Sequence, residues 1–264
     1  MNRIITHFHR KPQKNLAIYF TAGYPEINST SSVISQLDQS GADLIEIGLP
    51  FSDPLADGPV IQHSGKIALD NGLTSAILFE QLKSVRTLTD KPLLIMGYLN
   101  PFLQFGPEAF LQNMESCGLD GLILPDLPPE IFEKTFQKIF QRYNICPVFL
   151  VTPETSESRI RYIDRLSKGF IYAVSSSSTT GSTGGIGQNA LSYLGKLKAM
   201  SLNNPVLTGF GISTFTDLQQ IWAHCQGGIV GSALIKNIDK NKADLGIPAF
   251  IQKLIQQSDD TSTQ

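Results

Sequence analysis

The sequence predicts a (β/α)8 barrel, also called a TIM barrel, on two observations. Short apolar segments alternate with longer amphipathic segments along nearly the whole chain, a pattern typical of parallel strands each followed by a helix. Eight such units occupy about 250 residues without a linker-like break, which is the usual size of this fold. An open doubly wound sheet is the alternative, but neither G-x-G-x-x-G nor G-x-x-x-x-G-K-[ST] occurs to support it.

Each predicted strand is a short run of apolar residues, and the eight runs lie at 16–21, 44–48, 93–98, 121–124, 147–151, 170–174, 206–208 and 228–230. The predicted helices lie at 2–9, 29–40, 61–71, 74–88, 107–117, 129–143, 156–167, 189–200, 214–225, 232–237 and 247–256. Asn28 and Ser29 can cap the second helix, and Pro129 stands at a first-turn position that tolerates proline. We therefore expect one barrel domain over residues 1–264, with a disordered polar tail at 258–264.

The composition argues against several classes of protein. Hydrophobic residues make up 41% and charged residues 17% of the chain, so a large core is available. The formal net charge is −2 without blocks of like charge, which disfavours binding to nucleic acid or to anionic membranes. Three widely spaced cysteines, Cys117, Cys146 and Cys225, indicate buried thiols in a reducing compartment. With no signal-peptide core and no apolar run of membrane-spanning length, the expected location is the cytoplasm.

The stretch at 43–62, D-L-I-E-I-G-L-P-F-S-D-P-L-A-D-G-P-V-I-Q, carries a carboxylate inside a buried strand. Glu46 interrupts an apolar run, where a charge is costly unless it is paired, protonated or used in function. The long loop that follows carries Asp53 and Asp57 and is stiffened by Pro50, Pro54 and Pro59. This arrangement suits acid/base chemistry. The structural alternatives are that backbone amides satisfy Glu46 and that both aspartates only form turns.

Glycines after the last two strands indicate an anion site. G-F-G-I-S follows the seventh strand at 209–213, and G-S-A follows the eighth at 231–233, where a short helix begins. Backbone amides and a helix N-terminus at these loops form the usual phosphate site of the fold, unless the glycines only make tight turns. The loop at 175–187, S-S-S-S-T-T-G-S-T-G-G-I-G, is either a mobile lid over the ligand or a flexible linker.

Other residue types narrow the chemistry. A Schiff-base aldolase needs a lysine at a strand end, but Lys91 and Lys168 precede strands. A metal enzyme needs clustered ligands, but the histidines are scattered: His7, His9, His63 and His224. We therefore expect carboxylate acid/base catalysis on a phosphorylated substrate, with no metal ion and no cofactor in this chain.

Together these motifs resemble the tryptophan synthase alpha subunit family. The resemblance rests on the acidic motif at 46–62 and on Y-F-T-A-G-Y-P at 19–25, Y-L-N-P at 98–101, D-L-P at 126–128, and the two glycine loops. It implies cleavage of indole-3-glycerol phosphate to indole and glyceraldehyde 3-phosphate in tryptophan biosynthesis. It also implies an alpha2-beta2 assembly, in which a pyridoxal-phosphate-dependent beta subunit receives the indole.

The resemblance also assigns roles to individual residues. It makes Glu46 the acid/base that moves two protons and Asp57 the acid that holds the indole N–H. The substrate phosphate would be bound by Gly181, Phe210, Gly211, Gly231 and Ser232. The indole pocket would be walled by Tyr19, Met96, Ile123, Tyr172 and Ile229, all of which could equally be barrel core. Thr180 would be the lid residue that closes on Asp57.

One departure from the family pattern lies in the lid, where Ser176 replaces an arginine and Ser178 a glycine. A looser lid is expected, and one alternative is a catalytically weak regulatory subunit that activates the beta subunit. A second alternative is another phosphate-binding barrel, such as a sugar-phosphate isomerase, which the absence of a base in the sixth loop disfavours. Apolar residues after strands three and four indicate a docking face for the partner, unless they fold back: Pro101, Phe102, Leu103, Phe105, Leu127, Pro128 and Pro129.

Overall fold

A computed structural model gives the structure of the protein and describes residues 2–174, 186–209, 211–241 and 244–256. At its centre is a closed barrel of parallel strands in sequential order, in which the last strand pairs with the first. The strands are β1 Asn15–Thr21, β2 Leu44–Gly48, β3 Leu93–Met96, β4 Gly121–Ile123, β5 Cys146–Val151, β6 Ile171–Ala173, β7 Val206–Thr208 and β8 Gly227–Val230. The predicted (β/α)8 barrel is confirmed, because each predicted strand is present with only small shifts at its ends.

The helices of the described residues largely match the predicted pattern as well. They are α1 Arg3–Arg10, α2 Ser29–Ser40, α3 Pro59–Asp70, α4 Ser75–Leu82, α5 Leu99–Phe105, α6 Pro107–Ser116, α7 Pro129–Ile131, α8 Gln137–Arg142, α9 Glu157–Leu166, α10 Gln188–Ala199, α11 Phe215–His224, α12 Ser232–Lys240 and α13 Ile247–Ile255. Asn28 occupies the N-cap of α2 as predicted, but its side chain makes no capping hydrogen bond. Thr214 does cap α11, where it forms a reciprocal capping box with Asp217.

Three helical segments differ from the prediction. The segment predicted as one helix at 74–88 ends at Leu82 and resumes as a short 3-10 turn, Val85–Thr87. Helix α5 lies in a segment predicted as loop. The helix tolerates Pro101 because this residue falls in the first turn, where no amide hydrogen is needed. The segment predicted as one helix at 129–143 contains a wide π-helical turn, Phe132–Phe136. Both phenylalanines that bound this turn, Phe132 and Phe136, are buried.

Helix α1 closes the amino-terminal end of the barrel. Its two buried residues, Ile4 and Phe8, pack among side chains of the barrel interior, and the rings of Phe8 and Phe170 lie 6.2 Å apart. Glycine is required opposite Ile4, because a Cβ atom on Gly121 would lie 2.8 Å from Ile4 Cδ1. A Cβ atom on Gly169, whose φ is +98°, would lie 2.7 Å from Ile4 Cγ2. With this end filled, a ligand pocket inside the barrel is expected at the carboxyl ends of the strands.

A buried carboxylate fixes this closed end. Asp120, which precedes β4, forms ion pairs with Arg86 at 2.6 Å and with Arg3 of α1 at 3.2 Å. The amide of Leu93 also donates to Asp120 Oδ2 at 3.0 Å. Buried charge that is paired and hydrogen-bonded in this way ties α1 to the start of two strands.

The structure also bears on the classes of protein considered above. Cys117, Cys146 and Cys225 are buried free thiols, as expected. Within the described ranges, no three His, Cys, Asp or Glu residues lie close enough together to hold a metal ion. None of the helices described is both long and apolar enough to span a bilayer.

Candidate active site

Glu46 lies in the middle of β2 and faces the barrel interior. It is paired across the sheet with Tyr19 of β1 and Leu94 of β3. The residue is fully buried, and within the described part of the chain neither carboxylate oxygen has a hydrogen-bond partner. Burial raises the pKa of Glu46 to about 8, because the charged form loses its hydration. The alternative in which backbone amides satisfy Glu46 is therefore wrong, and the group is a neutral acid near pH 7.

The raised pKa makes Glu46 a cost to folding at high pH. Because the folded-state pKa of about 8 exceeds the ordinary 4.5, the folded state favours the protonated form. The contribution of Glu46 to stability is therefore fully present below pH 4.5, is lost as pH rises from there to about 8, and does not change further above that range. We expect Glu46→Gln to raise the free energy of unfolding at pH 9 by a few kcal/mol, and hardly at pH 4. Urea unfolding at both pH values measures this, and an equal gain at both would contradict it.

Asp57 lies in the β2–α3 loop and is held there by Tyr98. The hydroxyl of Tyr98 donates to Asp57 Oδ2 at 3.0 Å and accepts the amide of Ala56 at 3.0 Å. Tyr98 is itself only 5% exposed, and its ring lies 5.2 Å from that of Phe51. Burial raises the pKa of Asp57, while the hydrogen bond from Tyr98 opposes this rise. The loop therefore presents Asp57 in one fixed position at the mouth of the barrel.

The tip of the same loop turns away from the site. Asp53 is exposed and accepts a hydrogen bond from the neighbouring Ser52 hydroxyl, as a turn-forming aspartate does. The side chain of Leu55 is 90% exposed. Of the two aspartates in this loop, only Asp57 is thus placed with the buried residues of the barrel mouth.

Two further tyrosines surround the acids. Tyr19 extends along the barrel wall so far that a Cβ atom on Gly48 would overlap with its hydroxyl. Tyr172 of β6 reaches Gly209 in the same way, since a Cβ atom there would lie 2.8 Å from Tyr172 Oη. Burial raises the pKa of both phenols, and the nearby charges of Asp57 and Glu46 raise these pKa values further. The two predicted wall tyrosines therefore converge on the two carboxyl groups.

The remaining predicted wall residues lie in the same interior. Ile123 and Ile229 are buried members of the barrel-interior cluster that contains Tyr172, and Met96 packs against this cluster. Met96 and Ile123 are also direct neighbours across β3 and β4. Met96 is the only one of the three that is partly exposed, which places it nearest the open mouth. Their side chains form an apolar surface in the barrel interior that Glu46 also faces. Their contact with indole stays a prediction.

The predicted phosphate loops flank this apolar surface. Ser232 is the first residue of α12, and the amide of Ile235 makes a helical hydrogen bond to Gly231 O. The amides of the first turn of a helix lack partners within the helix, so they can bind an anion here. A Cβ atom on Gly231 would lie 3.2 Å from Tyr19 Cδ1, so the anion site adjoins the aromatic wall. Gly211 has a φ of +58°, and its amide donates to Gly209 O at 3.1 Å. The predicted helical turn at 232–237 is longer than expected, since α12 extends to Lys240.

Three predicted ligand contacts fall outside the described residues. These are Thr180 and Gly181 of the lid and Phe210 of the seventh loop. Sequence reasoning, in turn, did not place Tyr98 in the site. Two features could have identified it: its position two residues after β3, at the carboxyl end of a barrel strand, and its place at the start of the Y-L-N-P motif.

The predicted docking face is only partly correct. Three of these residues are buried: Phe102, Leu127 and Pro129. Phe102 packs in the aromatic core, where its ring lies 5.4 Å from that of Phe110. Pro101 and Phe105 are partly buried, while Leu103 and Pro128 are exposed. Two further apolar side chains that were not predicted are exposed at the same end: Leu55 and Ile131, the latter by 46%.

Comparisons with known proteins agree on one family. The sequence matches the family model described as "Tryptophan synthase alpha chain" over residues 5–259. The tryptophan synthase alpha chain of Christiangramia forsetii is 47% identical over 96% of this chain and 98% of its own length. That of Flavobacterium psychrophilum is 49% identical over 96% of this chain and 100% of its own length. The structure of tryptophan synthase subunit alpha from Legionella pneumophila superimposes with a TM-score of 0.87, at 33% identity over 97% and 98% of the two chains.

Proposed function

The chain belongs to the tryptophan synthase alpha chain family, and from this premise we propose that Glu46 and Asp57 perform its reaction. The protein is a carbon–carbon lyase that cleaves indole-3-glycerol phosphate to indole and glyceraldehyde 3-phosphate in tryptophan biosynthesis. The observation that supports these catalytic roles is the fully buried, unpaired Glu46, which lies in the same barrel mouth as Asp57.

Glu46 supplies the proton transfers of the retro-aldol reaction. The neutral carboxyl group donates its proton to indole C3, which turns the ring into an indoleninium cation. The resulting carboxylate then takes the proton of the side-chain hydroxyl on the carbon attached to C3. The bond between these carbons breaks, its electron pair returns to the ring, and glyceraldehyde 3-phosphate leaves as the aldehyde. A pKa of about 8 suits this exchange, because both protonation states are accessible near neutral pH.

Asp57 stabilises the charge that develops on the ring. Tyr98 binds Oδ2 of Asp57, which leaves Oδ1 to accept the indole N–H. A carboxylate in this position attracts the indoleninium cation far more than the neutral substrate, because burial weakens the screening of charge by water. The interaction therefore lowers the barrier instead of only tightening binding.

The phosphate end is bound mainly by backbone groups. The amides at the start of α12 lie at the barrel mouth beside Tyr19, and Gly209 of the other glycine loop adjoins Tyr172. Helix N-termini of this kind favour anions through unsatisfied amides and the helix dipole. The roles of Thr180, Gly181 and Phe210 remain proposals from the family resemblance.

The family name implies a beta-subunit partner. We propose an alpha2-beta2 assembly in which the beta subunit carries pyridoxal phosphate and receives indole, whereas this chain needs no cofactor. The exposed apolar side chains around the barrel mouth support docking at this end: Leu55, Leu103, Pro128 and Ile131.

The test of the function is indole release from indole-3-glycerol phosphate, measured with and without a beta subunit. We expect release by the isolated chain and faster release in the complex, since docking at the barrel mouth favours the closed, ligand-bound state. Background release in both conditions, together with activation of the beta subunit, would instead identify a regulatory subunit. That outcome would point to Ser176 and Ser178 in the lid as the departure responsible.

A further inference from the structure

We propose that Tyr98 is a positioning residue that orients Asp57 toward the ring of the substrate. The inference rests on the proposed function, because it assigns a role to Tyr98 through the catalytic role of Asp57. Its basis is a single buried hydroxyl that contacts two consecutive residues of the catalytic loop. That hydroxyl donates to Asp57 Oδ2 and accepts the amide of Ala56, each at 3.0 Å.

The geometry makes the two contacts interdependent. A hydroxyl has one hydrogen, so once Tyr98 accepts from the Ala56 amide, its own hydrogen is directed to Asp57. The backbone of the loop and the side chain of Asp57 are thereby fixed by the same atom. A phenylalanine at this position would keep the ring but provide neither contact.

Tyr98 is held rigidly enough to do this. Its ring packs at 5.2 Å from that of Phe51, which belongs to the same loop as Asp57. On the backbone side, the amide of Leu99, which begins α5, donates to Asp126 Oδ1 at 2.8 Å. The phenol therefore connects the loop after β2 to the segment after β3, and the amide of Leu99 in turn connects that segment to the loop after β4.

The charge environment shows why Asp57 needs this support. The titratable groups that face it are Tyr19 from β1, Tyr98 from the loop after β3, and Tyr172 from β6, and Glu46 lies near two of these, Tyr19 and Tyr172. Among the residues described, Tyr98 is the side chain that donates a hydrogen bond to its carboxylate. Burial raises the pKa of Asp57, and the bond from Tyr98 acts against this. Removing the bond should therefore raise the pKa of Asp57 and leave less of it ionised near neutral pH.

The first experiment compares Tyr98→Phe with a control, Tyr162→Phe. The control also removes a tyrosine hydroxyl that donates to a carboxylate, that of Glu133 at 2.7 Å, but at an exposed position on the outer helices. For Tyr98→Phe, kcat/KM for indole release is expected to fall about 10- to 100-fold, mostly in kcat, as one hydrogen bond to a charged group is lost. The acid limb of its pH profile should move to higher pH, because Asp57 loses the hydrogen bond that lowers its pKa, while the basic limb, set by Glu46, stays unchanged. An unchanged acid limb and rate, as expected for Tyr162→Phe, would overturn the inference.

A double-mutant cycle with Asp57→Asn separates this inference from the proposed function. If Tyr98 acts through Asp57, then Tyr98→Phe should cost little further activity in the Asp57→Asn background. Equal losses in both backgrounds would overturn the positioning role while leaving the proposed function intact. Normal activity of Asp57→Asn alone would instead contradict the proposed function. Thermal unfolding of every variant checks the fold, which the retained aromatic ring should preserve.

Discussion

Replacing Glu46 with glutamine is expected to reduce indole release by at least ~10²-fold, the usual scale for a lost general acid/base. Glutamine has nearly the same shape, so the fully buried site should keep its packing and its affinity for the substrate. The amide, however, can neither donate a proton to indole C3 nor accept one from the side-chain hydroxyl. The loss should therefore appear in kcat and leave KM nearly unchanged.

The measurement is the steady-state kinetics of Glu46→Gln. The control is Glu115→Gln, which makes the same chemical change at an exposed position on α6. The unaltered protein should also lose kcat/KM as pH rises through about 8, because the proton on Glu46 of the free enzyme is then lost. Turnover of Glu46→Gln close to that of Glu115→Gln would remove Glu46 from the mechanism.

A negative charge placed in the loop after β7 should weaken binding of the substrate phosphate by a factor similar to the loss of turnover expected for Glu46→Gln. Gly211 has a φ of +58° with open space where a Cβ atom would stand. Aspartate and asparagine tolerate this left-handed conformation better than most residues, so the backbone strain should be similar in both variants. A carboxylate about 4 Å from a phosphate oxygen costs about 4 kcal/mol per pair of charges at an effective dielectric of 20. We therefore expect Gly211→Asp to bind glycerol phosphates at least ~10²-fold more weakly than Gly211→Asn, the neutral control of the same size.

Titration with a glycerol phosphate and, separately, with indole tests this assignment. Indole binding should be similar in both variants, because a Cβ atom on Gly211 would have no atom within 4 Å and so would not press on the apolar wall. Gly231 is less suitable for the experiment, since a Cβ atom there would press on Tyr19 at 3.2 Å and disturb that wall. Equal phosphate affinity of the two Gly211 variants would place the anion site elsewhere.

The barrel and its central acid could be predicted from the sequence because both depend on local patterns. Strands buried on both faces consist of apolar residues, so each strand of the barrel is visible as a short run between helices. The same rule makes Glu46 conspicuous, as any charge inside such a run requires an explanation. The prediction was less accurate for two helical segments: α5 was predicted as loop, and the π-helical turn Phe132–Phe136 was predicted as part of one regular helix. Both segments carry phenylalanines that pack together in the core.

Which residues join Glu46 was decided by the tertiary structure. Asp53 and Asp57 have similar neighbours in the sequence, yet only Asp57 meets the hydroxyl of Tyr98 from the next strand. Likewise, Phe102 and Leu103 are adjacent, but the rotation of α5 buries the first and exposes the second. Such contacts join residues far apart in the chain, here 41 positions for Tyr98 and Asp57, and no local pattern encodes them. The sequence alone therefore determined the barrel and its acid, whereas closure of the barrel selected the partners that tune this acid chemistry.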